Sequence, residues 1–329
     1  MADSMAYQLA AVECACQSAT VNPMPPPWPA LPLDPWRPCC DTLHAHTQLL
    51  GKLAVALAPP EPQLQHAALR LSARGWETLP LPAPDGSGSL VVALDLHAHE
   101  AVVEHSGGAM RRSPLTGARA VADVTRDVLD ACTELGGQVR IDPTPQEVSW
   151  TAPLTEDREH AAYDAAQAER YFAAATRAAL VLAAFRAPFR GRSTPVNAWW
   201  GSFDLAVSLF SGLPADPPSE DFIMRNAMDA QEIALGWWPG DDRYPRAAFY
   251  GYAHPATDGF ASARLSPAQA RWEGELGEYV LDWEDVCASD DPHALALEFA
   301  RSLFDHACAV CEWDPALAAS AHGTPPPVA

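Results

Sequence analysis

Apolar residues recur at helical spacing from Asp34 to about Leu50, where Asp34-Pro35 reads as an N-cap followed by a proline at the first helical position. Within that segment Asp41, His44, Gln48 and Lys52 follow one another at intervals of 3, 4 and 4. Such spacing puts the four polar side chains on one helical face, where they can share a hydrogen-bond network. The period then shortens. Strands are predicted at 53–58, 67–73, 77–81, 89–96, 101–104 and 109–112, with turns at Asp85-Gly86 and Gly107-Gly108. A helix over 118–135 ends at Gly136-Gly137 and leads into a short strand over 138–141.

The second half repeats this rhythm loosely. A long helix is predicted over 164–185, strands at 196–200 and 203–210, and a helical piece over 221–228. Further strands follow at 232–238, 248–254 and 278–286, and a helix over 292–311 closes the series. Runs of strands beside helices, without regular alternation, define an α+β class: two antiparallel β-meander sheets packed by about five helices. Halves at 28–150 and 151–315 suggest a duplication, although no residue-level repeat supports it. Proline clusters predict a mobile leader over 1–27 and a disordered tail over 316–329, leaving 28–315 as a single compact domain.

Composition narrows the partners. The net charge of −21 repels phosphate backbones and anionic lipid, so neither nucleic acid nor a membrane surface is an expected partner. No apolar run is long enough to span a bilayer, and acidic Asp3 and Glu13 replace the basic start of a secretory signal, so a cytoplasmic location is expected. The eight cysteines lack the two paired knuckles of a structural zinc site and are expected as metal-free thiols. Lys52 is the only lysine, every other basic residue being arginine.

Three constellations could carry chemistry. On the first helix, Asp41 three residues before His44 could fix its tautomer and free the other ring nitrogen for acid/base work, while Lys52 could neutralise an anion. In the segment Trp200-Gly-Ser-Phe-Asp204, an extended chain would point Trp200, Ser202 and Asp204 to one face, and Gly201 would admit a close neighbour. Glu232 and the aromatics Trp237, Trp238, Tyr250 and Tyr252 form the third, with both tyrosines on one strand face. The pair His97 and His99 falls at a turn and reads as solvated.

The string Asp41-Thr-Leu-His-Ala-His-Thr-Gln-Leu-Leu-Gly-Lys52 resembles a segment of a bacterial family of unknown function, domain of unknown function 5996. So do Ser193-Thr-Pro-Val-Asn-Ala-Trp-Trp-Gly-Ser-Phe-Asp-Leu-Ala206, Gly236-Trp-Trp-Pro-Gly240 and Phe249-Tyr-Gly-Tyr252, and the resemblance runs from Trp28 to about Trp313. Against the family pattern His44, Gln48, Lys52, Ser202, Asp204 and Glu232 match. His46 stands where another member has Trp, and Asn197 and Gln231 stand where His occurs, which argues against a three-histidine metal site. The resemblance implies no activity.

Together these readings predict a cleft between the halves that takes a small, partly apolar, anionic ligand. Asp41 orients His44 as acid or base. Gln48 and Ser202 hydrogen-bond the ligand, Lys52 pairs its charge, Asp204 and Glu232 add carboxylates, and Trp200 and Tyr252 form apolar walls. Two rival readings are a metal-dependent enzyme using His44, Asp204 and Glu232, and a non-catalytic interaction or structural protein. Cofactor and oligomeric state are not specified by any motif.

Overall fold

The computed structural model describes residues 27–320 except Asp221. Helix α1 (Leu33–Leu57) begins the fold and runs through its centre, with Leu43, Leu49, Leu50 and Leu53 almost fully buried. Strands β1 (Arg70–Leu71), β2 (Gly75–Glu77), β3 (Leu81–Pro82), β4 (Ser89–Asp95), β5 (Glu100–His105) and β6 (Met110–Pro114) form the first sheet. Its order is β1-β2-β4-β5-β6, with β3 on β4, and every pairing is antiparallel. The register Val92↔Val103 keeps Leu90, Val92, Leu94, Ala101 and Val103 on one face, in the core beside α1 and helix α2 (Val121–Gly136). Glu77, Glu100, Glu104 and Arg112 occupy the other face.

Helix α3 (Ala165–Arg186) leads into the second half, its N-terminus capped by Asp164, which accepts from the Gln167 amide. There follow β7 (Asn197–Trp199), β8 (Asp204–Pro214), α4 (Phe222–Ala227), β9 (Ala230–Trp238), β10 (Ala248–His254), β11 (Arg271–Glu273), β12 (Glu278–Asp282), α5 (Trp283–Cys287), α6 (Pro292–Val310) and α7 (Pro315–Ala318). The second sheet has the order β11-β12-β10-β9-β8-β7, also antiparallel. Alternation puts Leu205, Val207, Leu209, Ile233, Leu235, Trp237 and Phe249 in the core, where α3 and α6 pack. Most buried apolar residues of both halves, from Leu31 to Trp313, join one cluster, while Trp238, Tyr244, Ala248 and Val280 form a second, smaller one.

The α+β class and both antiparallel sheets match expectation, and several boundaries differ for identifiable reasons. Helix α1 starts at Leu33, one residue before Asp34, which lies in its first turn where a carboxylate complements the helix dipole. It also continues through the strand predicted at 53–58. Residues 138–141 run without a strand partner among the described residues. The strand predicted at 278–286 stops at Asp282, because Trp283 opens α5 and its indole donates to the Pro29 carbonyl at 2.8 Å. The second sheet is not a pure meander: β11 folds back onto the outer edge of β12. The tail expected from 316 begins as α7, capped by Asp314, with the Ser320 hydroxyl donating to Leu317. Residues 1–26, including Cys14 and Cys16, and 321–329 lie outside the described residues.

Candidate functional site

The polar stripe of α1 divides along its length. His44 Nε2 lies 2.9 Å from the Trp200 carbonyl and 3.0 Å from that of Gly201. Two carbonyls can only accept, so Nε2 carries the proton. Burial pushes His44 down to about 4, so its ring is neutral near pH 7. It also stacks on Phe203, with centroids 4.9 Å apart. Gln48 donates to Gln146 O at 2.8 Å and to Trp200 O at 3.1 Å, and its oxygen accepts from the Gln146 amide at 3.0 Å. Asp41 makes no hydrogen bond to His44. Burial raises its carboxyl, and the nearby His160 opposes the shift. The upper stripe therefore fastens α1 to the 200–201 turn and the 146 loop.

Lys52 behaves differently. It is 5% exposed, and its ammonium donates to Gln146 Oε1 at 3.0 Å, stands 3.9 Å from Asp142 and lies 5.6 Å from the Trp200 ring centroid. An ammonium has three N–H donors, so this arrangement leaves donor capacity toward the adjoining cavity. Burial lowers its pKa, and Asp142 partly offsets that. Trp200 is locked beside it: the indole donates to Ala67 O at 3.0 Å and covers Gly51. A Cβ on Gly51 would fall 2.0 Å from that ring, so helix and indole meet only because residue 51 is glycine.

The cavity occupies about 950 Å³. Its walls are the end of α1, the 3₁₀ turn Pro62–Ala67, the 140–147 loop and α4, and its floor is the face of the second sheet turned away from α3 and α6. The floor is recessed at the small residues Ala206 and Ala234, and Gly236 lies in the same cross-strand row, between Ala206 and Tyr250. At Gly236 a Cβ would come within 2.3 Å of the Tyr250 ring. Around this recess stand Asp204, Glu232, Glu278, Tyr250, Tyr252 and Trp238.

Two of those carboxyls, Asp204 and Glu232, have hydroxyl partners. Asp204 accepts from Ser202 and from Tyr250, while Glu232 accepts from Tyr252 at 3.3 Å. Burial pushes Asp204 up to about 6 and Glu232 up to about 7. Glu278 also rises to about 7, from burial first and then from the charge of Asp204. Among the described residues no lysine or arginine forms an ion pair with any of the three. Arg243 is engaged with Asp241 at 2.9 Å, and Arg192 donates to Gln63 at 2.7 Å.

Lys52, Trp200, Ser202, Asp204, Glu232 and Tyr252 thus line one cavity, whereas His44, Gln48 and Asp41 do not. The segment 200–203 is a turn rather than a strand. Phe203 adopts a left-handed φ of 58° that sends its ring into a stack with His44, Trp76 and Tyr171 and leaves Ser202 and Asp204 on the cavity side. The proposed metal set fails as a cluster because His44 sits outside the cavity that holds Asp204 and Glu232. Among the described residues no three His, Cys, Asp or Glu side chains gather as a metal requires. Sequence reasoning missed Glu278 and the 140–147 loop. The alternation of Glu278 with Val280 in β12 was the available signal for the first, and the loop carries none.

The fold and cavity define an α+β protein with a hydroxyl- and carboxyl-floored chamber and a single lysine at its wall. The chain belongs to the family of unknown function DUF5996, whose model matches residues 28–320. No curated protein and no solved structure matches it. No helix among the described residues is long and apolar enough to cross a membrane.

Proposed function

We propose that this is a cytoplasmic protein whose cavity binds a small, partly apolar ligand through an acidic group paired with Lys52. The observation that carries this reading is the ammonium of the 5% exposed Lys52 at the wall of a half-open cavity, hydrogen-bonded there to the neutral amide oxygen of Gln146. Trp200, Trp238 and Tyr252 supply apolar walls, and Ser202 supplies a hydroxyl. His44 and Gln48 serve as scaffold. A second reading, acid/base catalysis, is favoured by Glu232, which burial holds near neutrality, where a proton is most easily taken or given.

The test uses 3-phenylpropanoate as probe with wild type and Lys52→Met. Saturable binding is expected in the wild type and should weaken about tenfold in the variant, the loss of one partly buried charge pair. The melting temperature should change little, because the carboxylate that pairs with Lys52, Asp142, is exposed. Equal affinities, or a collapse of the melting temperature without ligand, would overturn the reading and favour a structural role.

A further inference from the structure

The other end of the same cavity carries three carboxyls that no ion pair among the described residues neutralises. Asp204, Glu232 and Glu278 surround a recess whose other walls are the rings of Tyr250, Tyr252 and Trp238. Trp238 and Tyr250 meet edge to face, with centroids 5.3 Å apart and planes at 76°. Glu278 makes no hydrogen bond or ion pair among the described residues. Carboxylates together with aromatic faces are the chemistry that recognises an organic ammonium group: the acids match its charge and the ring quadrupoles accept it in a desolvated site. A metal ion fits this end poorly, since the groups present do not gather as a metal cluster.

We propose that the recess formed by Asp204, Glu278, Tyr250 and Trp238 binds a protonated amine, so that the cavity selects a bipolar ligand with its acid at Lys52 and its ammonium at the carboxyl floor. This inference rests on the Lys52 reading for the acidic end and stands on separate residues for the other. The turn that starts at Trp200, beneath the ammonium of Lys52, reaches Asp204 four residues later, so those two backbone positions are at most about 14 Å apart. A ligand with one ring between its charged groups is of that scale. Raised carboxyl pKa values agree with the proposal, because burial disfavours the ionised carboxylates that a bound ammonium would favour.

Four probes sharing a phenyl body separate the ends by calorimetric titration: phenethylamine, 3-phenylpropanoate, 2-phenylethanol and 4-(2-aminoethyl)benzoate. Wild type should bind phenethylamine about tenfold more tightly than 2-phenylethanol, and the bipolar probe more tightly than either singly charged one. Glu278→Gln removes charge from a side chain with no hydrogen bonds to lose, so the fold is kept while the amine preference falls several-fold. Asp204→Asn should remove most of the rest, with a melting curve checking that it folds. Equal affinity for phenethylamine and 2-phenylethanol overturns this inference alone if 3-phenylpropanoate still depends on Lys52. An amine preference that survives both substitutions overturns it as well. If no probe binds, this inference and the Lys52 reading fall together.

Discussion

The two sheets each bury one face, and they differ in how they treat acids on the other. On the first sheet Arg74 bridges Glu77 at 3.1 Å and Glu104 at 2.8 Å, and Arg112 pairs with Glu100 at 2.9 Å. The hydrogen bond from Arg74 holds Glu104 below the usual carboxylate range. On the second sheet Asp204, Glu232 and Glu278 line the cavity without an ion pair, and burial raises all three although Arg192 and Arg243 oppose the rise of Glu232 and Glu278. An acid beside an arginine in contact with water has its structural needs met. Buried acids without an ion pair are costly to ionise, a cost that evolution tolerates more readily where a ligand supplies the counter-charge.

Glu232→Gln probes that contrast most strongly. Its folded value of about 7 lies above the unfolded carboxyl value near 4.3, so protonation favours the fold. Its stabilising contribution is full below about pH 4 and is lost as pH rises through about 7. The glutamine variant should therefore remove about 3 kcal/mol of pH-dependent stability loss across that window, read from urea unfolding at pH 4.5 and 8. An unchanged pH profile would show that Glu232 is paired or hydrated after all.

Gly236→Ala should cost about 2 kcal/mol by forcing the Tyr250 ring off the floor, and it should also abolish probe binding. Loss of stability with intact binding would mean that the recess tolerates a displaced tyrosine.

His46 cuts the comparison from the acidic side. It is fully buried on α1 with neither ring nitrogen hydrogen-bonded, and burial lowers it to about 4. Its contribution is present above about pH 6.5 and is lost as pH falls through about 4. His46→Leu should raise stability by about 1–2 kcal/mol at pH 7, and by more at pH 4.5, by removing unsatisfied polar atoms. Thermal melts at the two values decide it, and a variant less stable than wild type would point to a hidden partner.

Arg74→Ala should have the smallest effect, about 1 kcal/mol at neutral pH and less in high salt, because its ion pairs are partly solvated. A loss as large as that expected for Glu232 would erase the distinction between the sheets.

Periodicity alone carried most of the secondary structure, since the faces of α1, α2, α3 and α6 and the alternation of β4, β5, β9 and β10 are written as residue order. It failed where a distant residue decides the local conformation. The first helix reads as ending near Leu50, but α1 continues to Leu57, packed there against the Trp200 indole, which fills the space a Cβ on Gly51 would take. The residues 200–204 read as a strand, but burial of Phe203 among His44, Trp76 and Tyr171 holds a turn with a left-handed residue.

The candidate site was legible to the same degree. Lys52, Ser202, Asp204, Glu232 and Tyr252 were recognisable as polar or aromatic positions out of keeping with their apolar surroundings, a local property of the chain. Which of them share a chamber was not local. Tertiary packing assigned His44 and Gln48 to main-chain carbonyls of the 200–201 turn and the 146 loop, left Lys52 at the cavity wall, and brought Glu278 beside Asp204 from across the sheet. Residue order determines which side chains a helix face or strand face presents. Their partners, and so whether a charge is neutralised or left for a ligand, follow from which segments meet in space.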